Sequence, residues 1–290
     1  MSLLALALLV VAAFMHAGWN YYAKGARNDL ALQLAYIVLS AIVYLPIALV
    51  TLIFFDPKLS WVGLGFAAAS SVIHLAYYFL LGRAYATGDL SLVYPLARGT
   101  GPLLTVFGAI LLLGETPGLV GVAGTMLIVG GVFVMSWSGD LRTSGGATAA
   151  IGFALATGAM TATYTLWDKQ GVDHLSPVLY SYVLDLGRLF MLAPAVAAAG
   201  AGATKLRATW EEPAQRRAVI AIGILSPGAY LLVLCALAIA PASYVAPARE
   251  ISVLIGAMLG LRLLAESNPR RRMAGAALIV AGIIALTLSQ

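Results

Sequence analysis

The sequence predicts an all-α membrane protein, with ten transmembrane helices in two inverted five-helix repeats, and three observations carry that expectation. The 290-residue chain is 61% hydrophobic and only 10% charged, with mean hydropathy +0.94, far from the roughly 25% charged residues of an ordinary soluble domain. Apolar runs of about 20 residues, the length a helix needs to cross about 30 Å of hydrocarbon, recur along its whole length. The chain also repeats itself. Ser91-Leu-Val-Tyr-Pro95-Leu-Ala-Arg98, running on to Leu113-Gly114-Glu115, returns as Ser243-Tyr-Val-Ala-Pro247-Ala-Arg249, running on to Leu264-Ala265-Glu266. Arg98 to Arg249 and Glu115 to Glu266 are both steps of 151 residues, and Gly124 to Gly131 is echoed by Gly275 to Gly282 in the same register. Whole helices are duplicated, and each copy carries an arginine inside an apolar segment.

Taken in order, the expected spans are Leu3 to Tyr22, Leu30 to Phe54, Trp61 to Ala86, Leu90 to Leu113 and Pro117 to Trp137. The second five are Thr148 to Trp167, Pro177 to Ala199, Ala218 to Ala240, Ser243 to Leu264 and Met273 to Leu288. Residues 1–138 form the first repeat, 139–147, with Arg142, Ser144 and two glycines, the linker, and 148–290 the second repeat. The start of the chain lacks the basic residues and small-residue cleavage site of a secretory signal and reads as the first retained helix. Thr116-Pro117, Ser176-Pro177 and Asn268-Pro269 each set a capping side chain before a proline suited to the first helical position. Pro46, Pro95, Pro102, Pro194, Pro227 and Pro247 fall inside spans, where a freed carbonyl needs protein or water to satisfy it. The single Cys235 rules out an intrachain disulfide.

Charge orients the helices. The net charge of +5 comes from residues in short loops between apolar helices, which argues for membrane orientation and against a nucleic-acid partner. Of 17 Lys and Arg, twelve fall in loops at one end, Lys58 and Lys169 at the other, and Arg98, Arg188 and Arg249 inside spans. The positive-inside rule then puts the first, third, fifth, seventh and ninth loops in the cytoplasm of a bacterial-type inner membrane, with both termini outside. Five helices per half is an odd number, so the halves cross in opposite senses. That is the inverted-repeat plan of secondary transporters, which hold substrate near the midplane between repeats.

A charge at the centre of a membrane helix costs about 2.5–3.5 kcal/mol on insertion scales and faces protein or a watery cavity. Arg98 and Arg249 either bind an anionic group through the guanidinium fork or pair with Glu250 or with carbonyls freed by Pro95 and Pro247, holding the halves together. His74 stands mid-span beside Tyr77 and Tyr78, with Ser226 and Tyr230 at the equivalent places of the repeat. His74 is either a proton acceptor in a polar pocket or a hydrogen-bonded structural histidine; His16 poses the same alternatives. Trp19 and Tyr164, one turn deeper than the lysines that close their helices, are candidate cavity liners where the neighbouring aromatics read as interface anchors. Tyr94 lies one turn from Arg98. Asp185 and Arg188, three apart, either neutralise each other or handle a coupling ion. Glu115 and Glu266 read as structural. The glycines of the fifth and tenth helices can pack within the monomer or join two copies as a homodimer.

No zinc-type cluster, P-loop or nucleophile elbow stands in any loop, so neither a catalytic residue nor a metal or other cofactor is expected, and the chain reads as no enzyme. Ten helices in two repeats, Trp19-Asn20 with Lys24 closing the first helix, and Leu113-Gly114-Glu115 with Pro102 thirteen residues before, resemble the EamA-type members of the drug/metabolite transporter (DMT) superfamily. The resemblance implies a central cavity lined by the third, fourth, eighth and ninth helices with the first and sixth, and metabolite transport by alternating access. It also implies cytoplasmic termini, against the loop charges. The second copy departs from the pattern, with Ala265 for the glycine and Val253 for the proline. His16-Ala-Gly-Trp19-Asn20 is similar to the start of a subgroup associated with phosphonate utilisation.

The expected function is a secondary transporter, an exporter or exchanger, of a small anionic or zwitterionic organic metabolite such as an amino acid, organophosphate or phosphonate. Its candidate site is Arg98, Arg249, His74, Tyr78, Tyr94, Trp19, Tyr164 and Tyr230. The alternative is export of cationic or lipophilic drugs, with Glu250 as the membrane carboxylate and the aromatic residues as a cation cage. A membrane-embedded enzyme or scaffold is a third reading, disfavoured because an enzyme has no need of two equivalent half-sites. Either transporter would have a small-molecule substrate and the lipid bilayer as its partners.

Overall fold

A backbone crossing hydrocarbon must satisfy its N–H and C=O groups within its own segment, and this chain does so with helices. The computed structural model describes residues 2–24, 26, 29–55, 57–88, 90–136, 147–198, 203–255 and 269–289, and among the described residues there is no strand. The long helices are α1 (Leu3–Lys24), α2 (Leu30–Phe54), α3 (Trp61–Thr87), α4 (Leu90–Leu113), α5 (Gly118–Ser136), α6 (Ala147–Gly171), α7 (Pro177–Ala198), α9 (Pro213–Ile239) and α11 (Pro269–Leu288). Two short ones, α8 (Ala203–Glu211) and α10 (Ala242–Ala248), lie among them. Among the described residues eight helices, α1 to α7 and α9, are long and apolar enough to cross a membrane, and α11 carries a shorter apolar stretch, Met273–Leu288. Large apolar side chains such as Phe54, Phe55, Leu111, Leu112, Leu119 and Phe190 stand on the outside, the surface a lipid solvent requires. The chain is an all-α, multi-pass membrane protein.

Helix ends follow local chemistry, with two differences from expectation. Asp29 caps α2 by accepting from Leu32 N at 2.9 Å, and the Ser60 hydroxyl accepts from Gly63 N at 2.9 Å while donating to the His174 carbonyl at 3.0 Å. Pro117 precedes α5 rather than opening it: Gly114 and Gly118 both take left-handed φ values, 67° and 66°, and make the reversal between α4 and α5. Pro177 does open α7, but the Ser176 hydroxyl caps nothing and has no partner. The third pair is divided, since Pro269 opens α11 while Asn268 lies outside the described residues. So do most of the linker (139–146), Arg27, Arg142, Arg262 and the Leu264-Ala265-Glu266 motif.

The largest departure is in the ninth expected span. A continuous helix from Ser243 was expected, yet α10 ends at Ala248, residues 249–250 form a turn, and helix resumes at 251–255. Tight backbone bonds replace the regular ladder here: Glu250 N to Pro247 O at 3.0 Å, Ser252 N to Arg249 O at 3.1 Å and Val253 N to Glu250 O at 2.9 Å. At the start of α10, the Glu115 carboxylate accepts from Ala242 N at 2.7 Å and Ser243 N at 2.8 Å, which ties the end of α4 to it. Glu115 is thus structural, as its place in the sequence suggested.

Helix packing is reciprocal. α3 lies along α6 and α1 along α9, α2 meets α7, and α5 meets α11. In the α5–α11 contact a side chain on Gly131 would start 2.7 Å from the Gly275 carbonyl oxygen, and one on Gly275 2.7 Å from that of Gly131. Gly124 and Gly282 oppose each other in the same way. The glycine face is therefore occupied within the chain, where missing side chains let two backbones touch.

Candidate functional site

Arg98 stands eight residues into α4, roughly 12 Å along the helix at 1.5 Å per residue. Its guanidinium reaches across to the broken span: Nη2 donates to the Ser252 hydroxyl at 2.8 Å and Nε lies 3.3 Å from Glu250 Oε2. That pair is close without being well aimed, since neither Nε nor Oε2 completes a hydrogen bond. Tyr94, one turn earlier on α4, lies 5.9 Å from the guanidinium carbon and packs beside Val132, Met135 and Val253.

Arg249 has no such partner. Among the described residues no carboxylate lies within ion-pair distance of it. Its donors meet hydroxyls at long range, Nη2 to Tyr164 at 3.3 Å and Nη1 to Thr165 at 3.4 Å, and its cationic carbon lies 5.7 Å and 5.8 Å from the rings of Tyr164 and Tyr230. Those rings belong to a cluster from three helices. His74 of α3 stacks on Tyr164 of α6 with centroids 4.2 Å apart, and Tyr230 of α9 meets His74 edge-on at 5.0 Å. His74 Nδ1 lies 3.0 Å from the Ser70 carbonyl, which can only accept, so Nδ1 carries the ring proton. The helix break puts Arg249 at the end of a helix, where its side chain can turn onto this cluster, an arrangement that recurs where transporters bind substrate.

The remaining candidates divide. Tyr78 is 36% exposed and points at α7, 5.0 Å from Arg188, so the neighbouring Tyr77 is the one that joins the cluster, 5.7 Å from Tyr164. Arg188 pairs with Asp185 at 3.0 Å, and Ser40 donates to the other carboxylate oxygen at 2.7 Å. Of the two alternatives for this pair, mutual neutralisation is what the contacts make. Trp19 meets His16 edge-on at 4.9 Å and packs against Leu32 and Val219, with its indole N–H unpartnered. His16 lies in electrostatic range of both Arg98 and Arg249.

One residue escaped the sequence reading. Asp168 stands next to Lys169 near a helix end and was not among the candidates, yet it is 0% exposed. Tyr180 donates to its Oδ1 at 2.7 Å and Tyr230 to its Oδ2, while Lys169 turns away to the Leu237 carbonyl at 2.7 Å. The signal available was its spacing: Asp168 lies one turn beyond Tyr164 on the same helix face. Among the described residues no group of three His, Cys, Asp or Glu could hold a metal ion.

Residues 148–288 match the EamA-like transporter family. A protein of known crystal structure superposes with a TM-score of 0.79 over 98% of this chain and 96% of its own. At 15% identity that likeness is one of fold. No curated protein matches the sequence. The EamA-like half supplies Tyr164, Asp168, Tyr230, Arg249 and Glu250, while the first half supplies His74, Tyr77 and Arg98. The site therefore lies where the family half meets the rest of the chain.

Proposed function

We propose that the chain is a secondary transporter, an exporter or exchanger, of a small anionic or zwitterionic organic metabolite, bound at the midplane between two inverted five-helix repeats (1–138 and 148–290). One observation carries this reading: the half-buried guanidinium of Arg249 meets no carboxylate among the described residues and faces the rings of Tyr164 and Tyr230, on which His74 packs. A guanidinium fork suits carboxylate, phosphate or phosphonate, and ring faces suit the organic body of such a ligand. The reciprocal helix pairings support the repeat, because exchanging the two halves turns the α3–α6 contact into α9–α1 and returns α5–α11 to itself. In such a plan, rocking one half against the other opens the site to alternate sides.

Arg98 and Glu250, which join the two halves, act in this reading as the latch that each cycle opens. The pairing also weighs against Glu250 as the carboxylate of a drug-cation exporter, since its charge is already matched. The loop charges support cytoplasmic ends for the basic loops, and a bacterial-type inner membrane as the location. Thermal stability in detergent, measured with phosphonates, phosphate esters, amino acids and quaternary amines, tests the reading, because a ligand of the folded state raises stability by mass action. An anionic class should shift the wild type and leave Arg249→Ala unmoved. Shifts from quaternary amines alone, lost in Glu250→Gln, would replace it with the cation reading.

A further inference from the structure

Asp168 is a buried carboxylate that the anion site does not use. Among the described residues, charged and titratable groups face it from four helices. From α3 come the Ser70 hydroxyl and, behind it, His74, whose Nδ1 lies 3.2 Å from Ser70 Oγ. From α7 comes Tyr180 and from α9 Tyr230, both donating to the carboxylate. Its own helix adds Tyr164 and Lys169, whose ammonium is engaged at Leu237. Arg249 acts on it from electrostatic range without touching it. Among the described residues no cation touches it, and a buried carboxylate so placed either keeps all of its hydrogen bonds or takes a proton.

We propose that Asp168 is a proton-binding site coupled to the anion site through Tyr230. The coupling follows from counting donors. The ionised carboxylate only accepts, and it holds the hydroxyl hydrogens of Tyr180 and Tyr230. When a proton from the aqueous phase adds to Oδ2, that oxygen becomes a donor and the Tyr230 oxygen accepts from it. The Tyr230 hydrogen must then turn away, and the ring already lies beside Arg249. Turned that way, it donates to an anion held there. Uptake of one proton thus adds one hydrogen bond to the bound anion, and by linkage the anion strengthens proton binding by the same factor. Proton and anion occupy the site together, and the carboxyl releases its proton when the anion leaves. The step makes and breaks one O–H bond at Asp168 and needs no co-reactant other than water.

This rests on the anion reading above, and two measurements on the full-length protein keep the two separable. The first is infrared titration in lipid, which needs no substrate. A protonated-carboxyl stretch should grow on acidification, vanish in Asp168→Asn and shift in frequency in Tyr230→Phe, while Glu250→Gln and Asp185→Asn keep it. A titrating band that survives Asp168→Asn, or no titrating band, would overturn the proposal. Should Asp168→Asn fail to fold, the frequency shift in Tyr230→Phe decides. The second uses benzenesulfonate, whose charge is constant across the neutral range, as thermal-shift ligand. Its affinity should rise about tenfold on acidification in wild type, the value of roughly 1.4 kcal/mol for one added hydrogen bond, and become independent of pH in Asp168→Asn. Constant affinity in wild type would also overturn the coupling. A titrating Asp168 with no anion binding governed by Arg249 would instead sink the anion reading and leave a proton site alone.

Discussion

Arg98 and Arg249 stand at matched positions of the repeat, and their surroundings could hardly differ more. Arg98 rides a continuous helix and is neutralised from the other half by Glu250, with Ser252 beside it. Arg249 ends a helix and faces aromatic rings. The cause is written in the sequence at the same offset of 151. The counterparts of Glu250 and Ser252 in the first half are Gly99 and Gly101, so the two-fold-related partners that Arg249 would need have no side chains. Their places are taken by neighbours: a side chain on Gly99 would run into Phe133, and one on Gly101 into Thr161. Duplication supplied two arginines. Divergence at two positions paired one with a carboxylate and left the other, among the described residues, with long contacts to hydroxyls alone.

The contrast predicts that stability and binding separate between the two arginines. The largest effect is expected at the latch. Arg98→Ala or Glu250→Ala strands a buried charge and should cost about 3 kcal/mol, the low end for a broken buried pair, because the Arg98 side chain is still 23% exposed. Arg98→Met with Glu250→Leu together should recover most of that loss in thermal unfolding. A double variant no more stable than either single one would mean the two do not act as a pair. Next comes Arg249→Ala, which orphans no carboxylate among the described residues. It should melt near wild type while anion affinity falls about 10- to 100-fold, the value of a charge-assisted hydrogen bond of roughly 1.5–3 kcal/mol. Early melting of this variant would make both arginines structural and erase the contrast.

The scaffold should behave symmetrically where the site does not. Gly131→Ala and Gly282→Ala, equivalent in the repeat, each drive a methyl into the backbone of the facing helix. Both should lose about 1–3 kcal/mol, by nearly equal amounts. Unequal losses would show that the asymmetry reaches beyond the site. The smallest change is expected at Glu115→Ala, which removes the acceptor from the first two N–H groups of α10 and should cost about 1 kcal/mol. Anion binding should weaken with it if the position of the break depends on that cap, and stay unchanged if Arg98 and Glu250 hold the break by themselves.

Much of the scaffold and part of the site were legible in the residues alone. The lengths of the apolar runs specify helices because hydrocarbon offers a backbone nothing to bond with, and a constant offset between like motifs reveals duplication without any coordinates. An intramembrane arginine also announces itself, since such a charge is costly unless something meets it. What meets it was not legible. Arg98 and Glu250 lie about 150 residues apart in the chain, and no local pattern records a contact of that span. Which of two adjacent tyrosines faces inward depends on the rotation of α3 about its axis, and the structure turned Tyr77 to the cluster and Tyr78 to Arg188. A proline stands in both α4 and α10, yet only the second span breaks beside it, so the break belongs to tertiary contacts and not to proline. Asp168 drew no notice beside its lysine because sequence position says little about depth at a helix end; only the folded packing of Tyr180 and Tyr230 around it closed that carboxylate off from water. Composition and periodicity determined that this chain lives in a bilayer as a duplicated helical protein, while the pairing of its buried charges was decided by which helices came to lie against one another.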